Sequence, residues 1–250
     1  MRRGDETARS TAWEIGGAVA DADERIAVLG AGLMGSAMAG RLRRVGRQVT
    51  VWDRSAAKAE ALRPAGIEPS ATPAAAAAEA SFVLTMLSDA AAVEQVMTAQ
   101  HGALDAMGAG SVWLQMSTVG VAGTHRLAGL AAGRGIAYVD APVSGTRQPA
   151  ERGELTIFAS GSASLQDTCA GVFSALGART LWVGVVGAGT RLKLIVNHWL
   201  LTLEATLADA MALAEALGLA PAVLQEVLPG RLAPPFIEPK AAAMLAHSYP

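Results

Sequence analysis

Residues 25–29, Arg-Ile-Ala-Val-Leu, run straight into Gly30-Ala31-Gly32-Leu33-Met34-Gly35, and an apolar helical run over residues 36–45 follows at once. A G-x-G-x-x-G set between a buried strand and a helix constrains the fold more than any other stretch of this chain. Gly30 permits the tight turn, Gly32 lets backbone approach a pyrophosphate, and Gly35 lets helix and strand pack closely. The phosphates would rest on free N–H groups at the helix start, around Leu33 and Met34. A unit of this kind opens a doubly wound α/β sheet of Rossmann type, and a dinucleotide is its expected ligand.

The alternation continues downstream. Residues 48–52 form a second strand, and Asp53 falls at its end, 18 residues after Gly35. An acid there would hold the adenosine ribose hydroxyls, which favours NAD. The next residues, Arg54 and Ser55, suit a 2′-phosphate, and Ser55 also reads as the N-cap of a helix carrying Lys58. The two signals oppose each other, so the cofactor reads as NADP or NAD, with a lean to NADP. Residues 73–80 read as a Pro-started, Ala-rich helix and 81–87 as a strand that brings Met86 and Leu87 to the cofactor edge. Ser88 and Asp89 then either cap the next helix or lie over the pyrophosphate and nicotinamide ribose.

A strand over residues 111–115 delivers Ser117 and Thr118 at its carboxyl end, where ligands gather in open α/β sheets. Both are candidate substrate or nicotinamide contacts; the alternative for Thr118 is a cap on a helix over residues 121–133. A strand over 137–140 leads into the stretch 141–150, read as a polar loop. Its backbone near Ser144, Gly145 and Thr146 either binds a carboxylate or simply connects. Strands over 154–160 and 179–183 flank a helix around Cys169.

After Gly189 no Gly or Pro occurs until Gly218. That interval predicts one helix of roughly 40 Å at about 1.5 Å per residue, long enough to link two bodies. Lys193 and Asn197, four apart, share a face near its beginning. Only Lys58, Lys193 and Lys240 are lysines among the 20 Lys plus Arg residues. An ammonium can lose its proton near neutral pH when desolvated, whereas guanidinium cannot. Lys193 and Asn197 therefore read as a catalytic pair. The expected organisation is an extension over residues 1–24, a dinucleotide-binding domain over 25–187 and an all-helical domain over 188–250. A further helix starts at Pro221, Pro234 and Pro235 break the chain, and residues 240–247 read as helical. A sequence ending on Tyr249-Pro250 reads as a cut through that domain.

Composition narrows the partners. A net charge of −2 gives no reason to invoke nucleic acid or an anionic membrane. No apolar run reaches the roughly 18 uncharged residues of a membrane span. Residues 1–24 mix Arg2 and Arg3 with Asp5, Glu6 and Glu14 and lack the apolar stretch of a signal peptide. A single cysteine excludes a disulfide framework, and a reducing, cytoplasmic setting is expected. There are no repeats, no metal-ligand spacing and no Ser/His/Asp constellation. His101, His125, His198 and His247 read as structural or exposed.

Four motifs in order carry a resemblance: Gly30 to Ala39 (GAGLMGSAMA), Ser117-Thr118, Asp140 to Gly145 (DAPVSG), and Gly187-x-Gly189 with Lys193 and Asn197. Over residues 25–250 the chain resembles the β-hydroxyacid dehydrogenases, which include 3-hydroxyisobutyrate dehydrogenase. Residues 143–153 and 233–250 look most like the glyoxylate and succinic semialdehyde reductases. The resemblance implies hydride exchange between a nicotinamide and a small β-hydroxyacid or short aldehyde acid. It implies an active site between the two domains and a homodimer or homotetramer formed through the helical one. Lys193 would be the general acid/base, with Ser117, Gly145 and Asn197 holding the substrate or orienting the lysine. NADP-using relatives commonly carry Asn-Arg-Thr where this chain has Asp53-Arg54-Ser55, and relatives continue beyond the position of Pro250. Two alternatives stand beside this reading. Imine reductases share the nucleotide half and long helix but typically replace the lysine. Catalytically silent, dinucleotide-bound dimerisation modules have lost it.

Overall fold

Strands covered on both faces lack the polar alternation of half-exposed ones. The opening strand, Arg25–Leu29 (β1), accordingly buries its last four side chains. The computed structural model describes residues 24–228, 240 and 243–246. After β1 it continues with Leu33–Arg44 (α1), Gln48–Trp52 (β2), Ala56–Glu60 (α2), Glu68–Pro69 (β3) and Pro73–Ala77 (α3). Phe82–Thr85 (β4), Ala90–Thr98 (α4), Val112–Gln115 (β5), Gly120–Ala132 (α5) and Ala137–Asp140 (β6) follow. These six strands form a parallel sheet in the order β3-β2-β1-β4-β5-β6. The order reverses between β1 and β4, which is where a doubly wound sheet opens its ligand crevice.

Alternation along β1 feeds two cores. Ile26 and Val28 face Met38 and Leu42 of α1 together with Phe173, while Ala27 and Leu29 face Val93, Met97 and Leu127. The sheet is thereby buried between helical layers on both sides.

The chain then adds Val143–Ser144 (β7), Arg147–Arg152 (α6), Leu155–Ala159 (β8), Gln166–Leu176 (α7), Gly177–Trp182 (β9), Ala188–Ala216 (α8) and Val223–Val227 (α9). β7, β8 and β9 form a second sheet, antiparallel then parallel. An isolated bridge between Asp140 and Ser160 ties it to the end of β6.

Three local expectations change. The first helix starts at Leu33, inside the glycine motif, because Gly32 takes the extended N-cap position. The polar loop over 141–150 is a short strand and a helix: Val143 is buried and pairs with Ile157. Pro149 sits in the first turn of α6, where a missing N–H costs nothing. Thr118 caps no helix, since Val119 holds the N-cap position of α5 and no side chain caps it. The expected extension, apart from Glu24, and the break at Pro234 and Pro235 lie outside the described residues.

The chain divides into two compact units, Met1–Lys193 and Leu194–Pro250. α8, 29 residues long and so about 44 Å, begins in the first and continues through the second. The division falls inside this helix rather than before it. Within the second unit Leu207 and Met211 form a small core with Leu203, Leu224 and Leu228, and Lys240 pairs with Glu204 at 3.1 Å. Ile195, Trp199, Leu201, Leu213 and Leu217 stay exposed. No helix among the described residues is long and apolar enough to cross a membrane.

Candidate active site

The glycines of the β1–α1 turn are each placed by a different constraint. Gly30 adopts φ +114, and a Cβ there would lie 2.3 Å from the Met86 carbonyl oxygen. A Cβ on Gly35 would lie 1.8 Å from the Gly30 oxygen. At Gly32 a Cβ would meet nothing within 4 Å. Close packing thus requires Gly30 and Gly35, while Gly32 borders open space. No side chain caps the start of α1 and no acid stands in its first turn, so its leading N–H groups are available to an anion.

A cleft of about 600 Å³ opens over this turn. All the expected cofactor residues except Ser55 and Thr118 line it. Asp53 buckles the turn: its Oδ2 accepts the Ala31 N–H at 2.8 Å and its Oδ1 the Ser55 N–H at 2.9 Å. Ser55 holds the N-cap position of α2, but its side chain makes no capping bond. Asp89 caps α4 through the Ala92 N–H at 2.9 Å and accepts the Ser88 hydroxyl. The cleft also draws on Trp52, Lys58 and Gln95, which the motif reading passed over. Lys58 carried a signal, as one of three lysines placed just after Asp53. Gln95 carried none, because the face that α4 turns to the cleft is set by packing. A free helix start, a glycine that leaves room and a polar rim at the strand ends together fit the phosphates and adenosine of a dinucleotide.

The residues expected at the reacting end lie outside this cleft. Lys193, on the second turn of α8, is 9% exposed. Among the described residues no hydrogen bond or ion pair reaches its ammonium, and burial holds its pKa below the ordinary lysine value. Asn197 stands one turn further on, half-buried, in the second unit. The Ser117 hydroxyl, expected to contact substrate, is 1% exposed and turned to the main chain. It donates to the Thr85 oxygen at 3.2 Å and accepts the Leu87 N–H at 2.9 Å. Gln115 brackets the same residue, accepting its N–H at 2.7 Å and donating to its carbonyl at 2.9 Å. Thr118 is exposed, Ser144 half-buried, and Gly145 and Thr146 exposed ahead of α6. Gly145 adopts φ +130, and a Cβ there would press within 2.8 Å of Leu155. Cys169 is buried, which pushes its thiol up to about 12 and removes it as a nucleophile.

The family model described as the NAD binding domain of 6-phosphogluconate dehydrogenase matches residues 25–184. Over 226 residues the chain is 33% identical to glyoxylate/succinic semialdehyde reductase 1 of Arabidopsis thaliana, covering 90% of this chain and 78% of that protein. It is 32% identical over 245 residues to the cytokine-like nuclear factor N-PAC of Homo sapiens, covering 98% of this chain. It spans only 44% of the length of N-PAC. A crystal structure of 3-hydroxyisobutyrate dehydrogenase from Salmonella typhimurium matches with a TM-score of 0.83 at 26% identity, covering 91% of this chain and 80% of that one.

Proposed function

The chain belongs to the β-hydroxyacid dehydrogenases, with the NAD-binding domain of 6-phosphogluconate dehydrogenase, and from that premise we propose its reaction. It is an NAD(P)-dependent oxidoreductase acting on small β-hydroxyacids or short aldehyde acids of the glyoxylate, succinic semialdehyde or 3-hydroxyisobutyrate kind. One observation carries this reading: Lys193 is a buried ammonium without a partner among the described residues, in a chain that also holds a cleft over its glycine turn.

The nicotinamide, when bound, supplies or accepts the hydride at the substrate carbon. The protein must then move one proton at the adjoining oxygen. Lys193 does so, donating during carbonyl reduction and accepting during alcohol oxidation. Burial lowers its pKa from the ordinary lysine value, which eases the loss of its proton. Asn197, on the same face of α8, orients the lysine or the substrate oxygen. Ser117 positions the edge of the cofactor site through the Leu87 N–H. Thr118, Ser144, Thr146 and the backbone at Gly145 take the substrate carboxylate. The exposed apolar residues of the second unit are covered by another copy of the chain in a dimer or tetramer, in a reducing compartment such as the cytoplasm.

The cofactor is NADP. Both oxygens of Asp53 already hold backbone N–H groups, so its charge serves the turn, while Arg54 and Lys58 flank the cleft beside it. Replacing both cations by alanine lowers the preference for NADPH over NADH by about 10- to 100-fold, the worth of one or two charge-assisted hydrogen bonds. Fluorescence titration with each dinucleotide measures the ratio, and an unchanged ratio rules out these two residues as the 2′-phosphate site.

A second reading is a dinucleotide-binding module without turnover, because the chain also matches over nearly its whole length a protein named as a nuclear factor rather than as an enzyme. A substrate panel on NADPH-saturated protein separates the readings. Turnover of glyoxylate, succinic semialdehyde or 3-hydroxyisobutyrate supports the reductase. Tight NADPH binding with no turnover of any acid or aldehyde supports the silent module, and faster reduction of cyclic imines than of acids overturns the substrate class.

A further inference from the structure

The mechanism uses Lys193 but leaves unexplained what fixes α8 where Lys193 leaves it. The leading N–H groups of a helix need partners, and those of α8 find them on a different part of the fold. The Gly189 N–H donates to Ser160 Oγ at 2.9 Å and the Thr190 N–H to Asp140 Oδ2 at 2.8 Å. Thr190 Oγ1 donates to Asp140 Oδ1 at 2.7 Å, and Ser160 Oγ lies 3.1 Å from Oδ2. The Thr190 proton is committed to the carboxylate. Thr124 Oγ1, 3.0 Å from Thr190 Oγ1, is therefore the donor in that pair and brings α5 into the network. Thr124, Asp140, Ser160 and Thr190 are all 0% exposed.

We infer that Asp140 is a positioning residue for the reaction: from the carboxyl end of β6 it clamps the first turn of α8 and so sets where the Lys193 ammonium stands. The inference rests on Lys193 being the acid/base. An ordinary N-cap, supplied by the residue just before the helix, would fasten α8 only to its own loop. This one fastens it to both sheets, because Asp140 ends β6 and Ser160 follows β8, and the two exchange backbone hydrogen bonds at 2.7 and 3.0 Å.

The clamp leaves no slack. A Cβ on Gly189 would lie 2.1 Å from the Phe158 oxygen and 3.0 Å from that of Asp140, so the helix start rests backbone against backbone. Thr190 and Lys193 are three apart and share a face. Slipping α8 by one residue against its clamp would carry the ammonium about 1.5 Å along the axis and about 100° around it. Among the described residues the Thr190 N–H and the Thr190 and Ser160 hydroxyls donate to the carboxylate. Burial raises the Asp140 pKa, and the hydrogen bonds from Thr190, Ser160 and the Gly187 N–H oppose that rise.

The test is Asp140→Asn made alone and in a Lys193→Ala background. The amide removes the carboxylate charge. An NH₂ at Oδ2 would face the Thr190 N–H, and one at Oδ1 is met only if the Thr190 hydroxyl turns its proton to Thr124, so the charge-assisted clamp loosens. A misplacement of about 1 Å costs on the order of 100-fold in rate, and a kcat loss of 10- to 100-fold is expected alone. In the Lys193→Ala background the same substitution should cost less than about twofold, because an effect acting through the lysine vanishes with it. Equal losses in both backgrounds overturn the inference. Should Asp140→Asn fold poorly, Thr190→Val removes one donor while keeping volume. It is expected to lose about 10-fold, the worth of one charge-assisted hydrogen bond, and Thr190→Ser to recover it. Failure of the serine to recover the rate overturns the inference as well.

Amide hydrogen exchange gives a readout independent of turnover. Faster exchange across residues 189–193, with β1 and α1 unchanged, supports the clamp, and unchanged exchange in Asp140→Asn overturns it while leaving the reductase reading intact. Faster exchange with an undiminished rate overturns the positioning role alone, and the rate of Lys193→Ala decides the acid/base assignment.

Discussion

Lys193→Ala lowers kcat by about 10²- to 10⁴-fold, the usual worth of a positioned general acid/base, while the dinucleotide Kd stays within a few-fold of the parent. The split follows from placement. The cleft is made by the β1–α1 turn, the ends of β2 and β4 and one face of α4, and Lys193 is not part of it. Lys193→Arg is expected to be as slow as the alanine variant, because guanidinium keeps its proton at any working pH. The pH dependence has a definite sign. Burial depresses the lysine pKa, and reduction needs the protonated form. The reduction rate therefore falls as pH rises through that depressed pKa, earlier than an exposed lysine near 10.4 would allow. Oxidation needs the neutral form and rises over the same window. Single-turnover rates measured with NADPH and with NADP⁺ across pH check both limbs. A Lys193→Ala rate within a few-fold of the parent removes the lysine from the mechanism.

Legibility in the sequence tracks how local each constraint is. The β1–Gly30–Gly35–α1 unit could be read because strand, turn and helix are contiguous, and each glycine has its own steric reason. The doubly wound sheet was legible from the alternation of strands and helices, whereas β3, two residues long, and the gathering of β7, β8 and β9 into a separate sheet were not. α6 was hidden because Gly145, Pro149 and Gly153 punctuate it like a loop, and only pairing of β7 with β8 reveals the strand before it. Ser117 stands at the carboxyl end of a strand, where ligands gather, yet Gln115 and the main chain at Thr85 and Leu87 enclose it. Asp140 could be quoted as one letter of DAPVSG, but its partner Thr190 lies 50 residues away. Neither a hydrogen bond at that separation nor the face of α4 that carries Gln95 is written in local spacing.

Gly35→Ala abolishes tight dinucleotide binding and lowers Tm, whereas Gly32→Ala weakens binding alone. The added methyl at Gly35 would sit 1.8 Å from the Gly30 oxygen. That atom is backbone, and Gly30 is itself hemmed against the Met86 carbonyl at φ +114. Relief requires α1 to move off the sheet. Overpacking of this kind costs about 1–3 kcal/mol or more, and each kcal/mol shifts Tm by about 2–4 °C in a chain of this size. Moving α1 also misaims the N–H groups at its start, so the Kd for NADPH rises by about 100-fold, as the loss of charge-assisted hydrogen bonds predicts. At Gly32 nothing lies within 4 Å of the new methyl, and the backbone at φ −72 accepts any residue. Tm should be unchanged, and the methyl should meet only a bound pyrophosphate, raising Kd about 10-fold. Calorimetry for Tm and fluorescence titration for Kd on the two variants separate fold from recognition. A Gly32→Ala protein that binds NADPH like the parent moves the pyrophosphate away from this turn. A Gly35→Ala protein with parental Tm shows that α1 can leave the sheet at little cost.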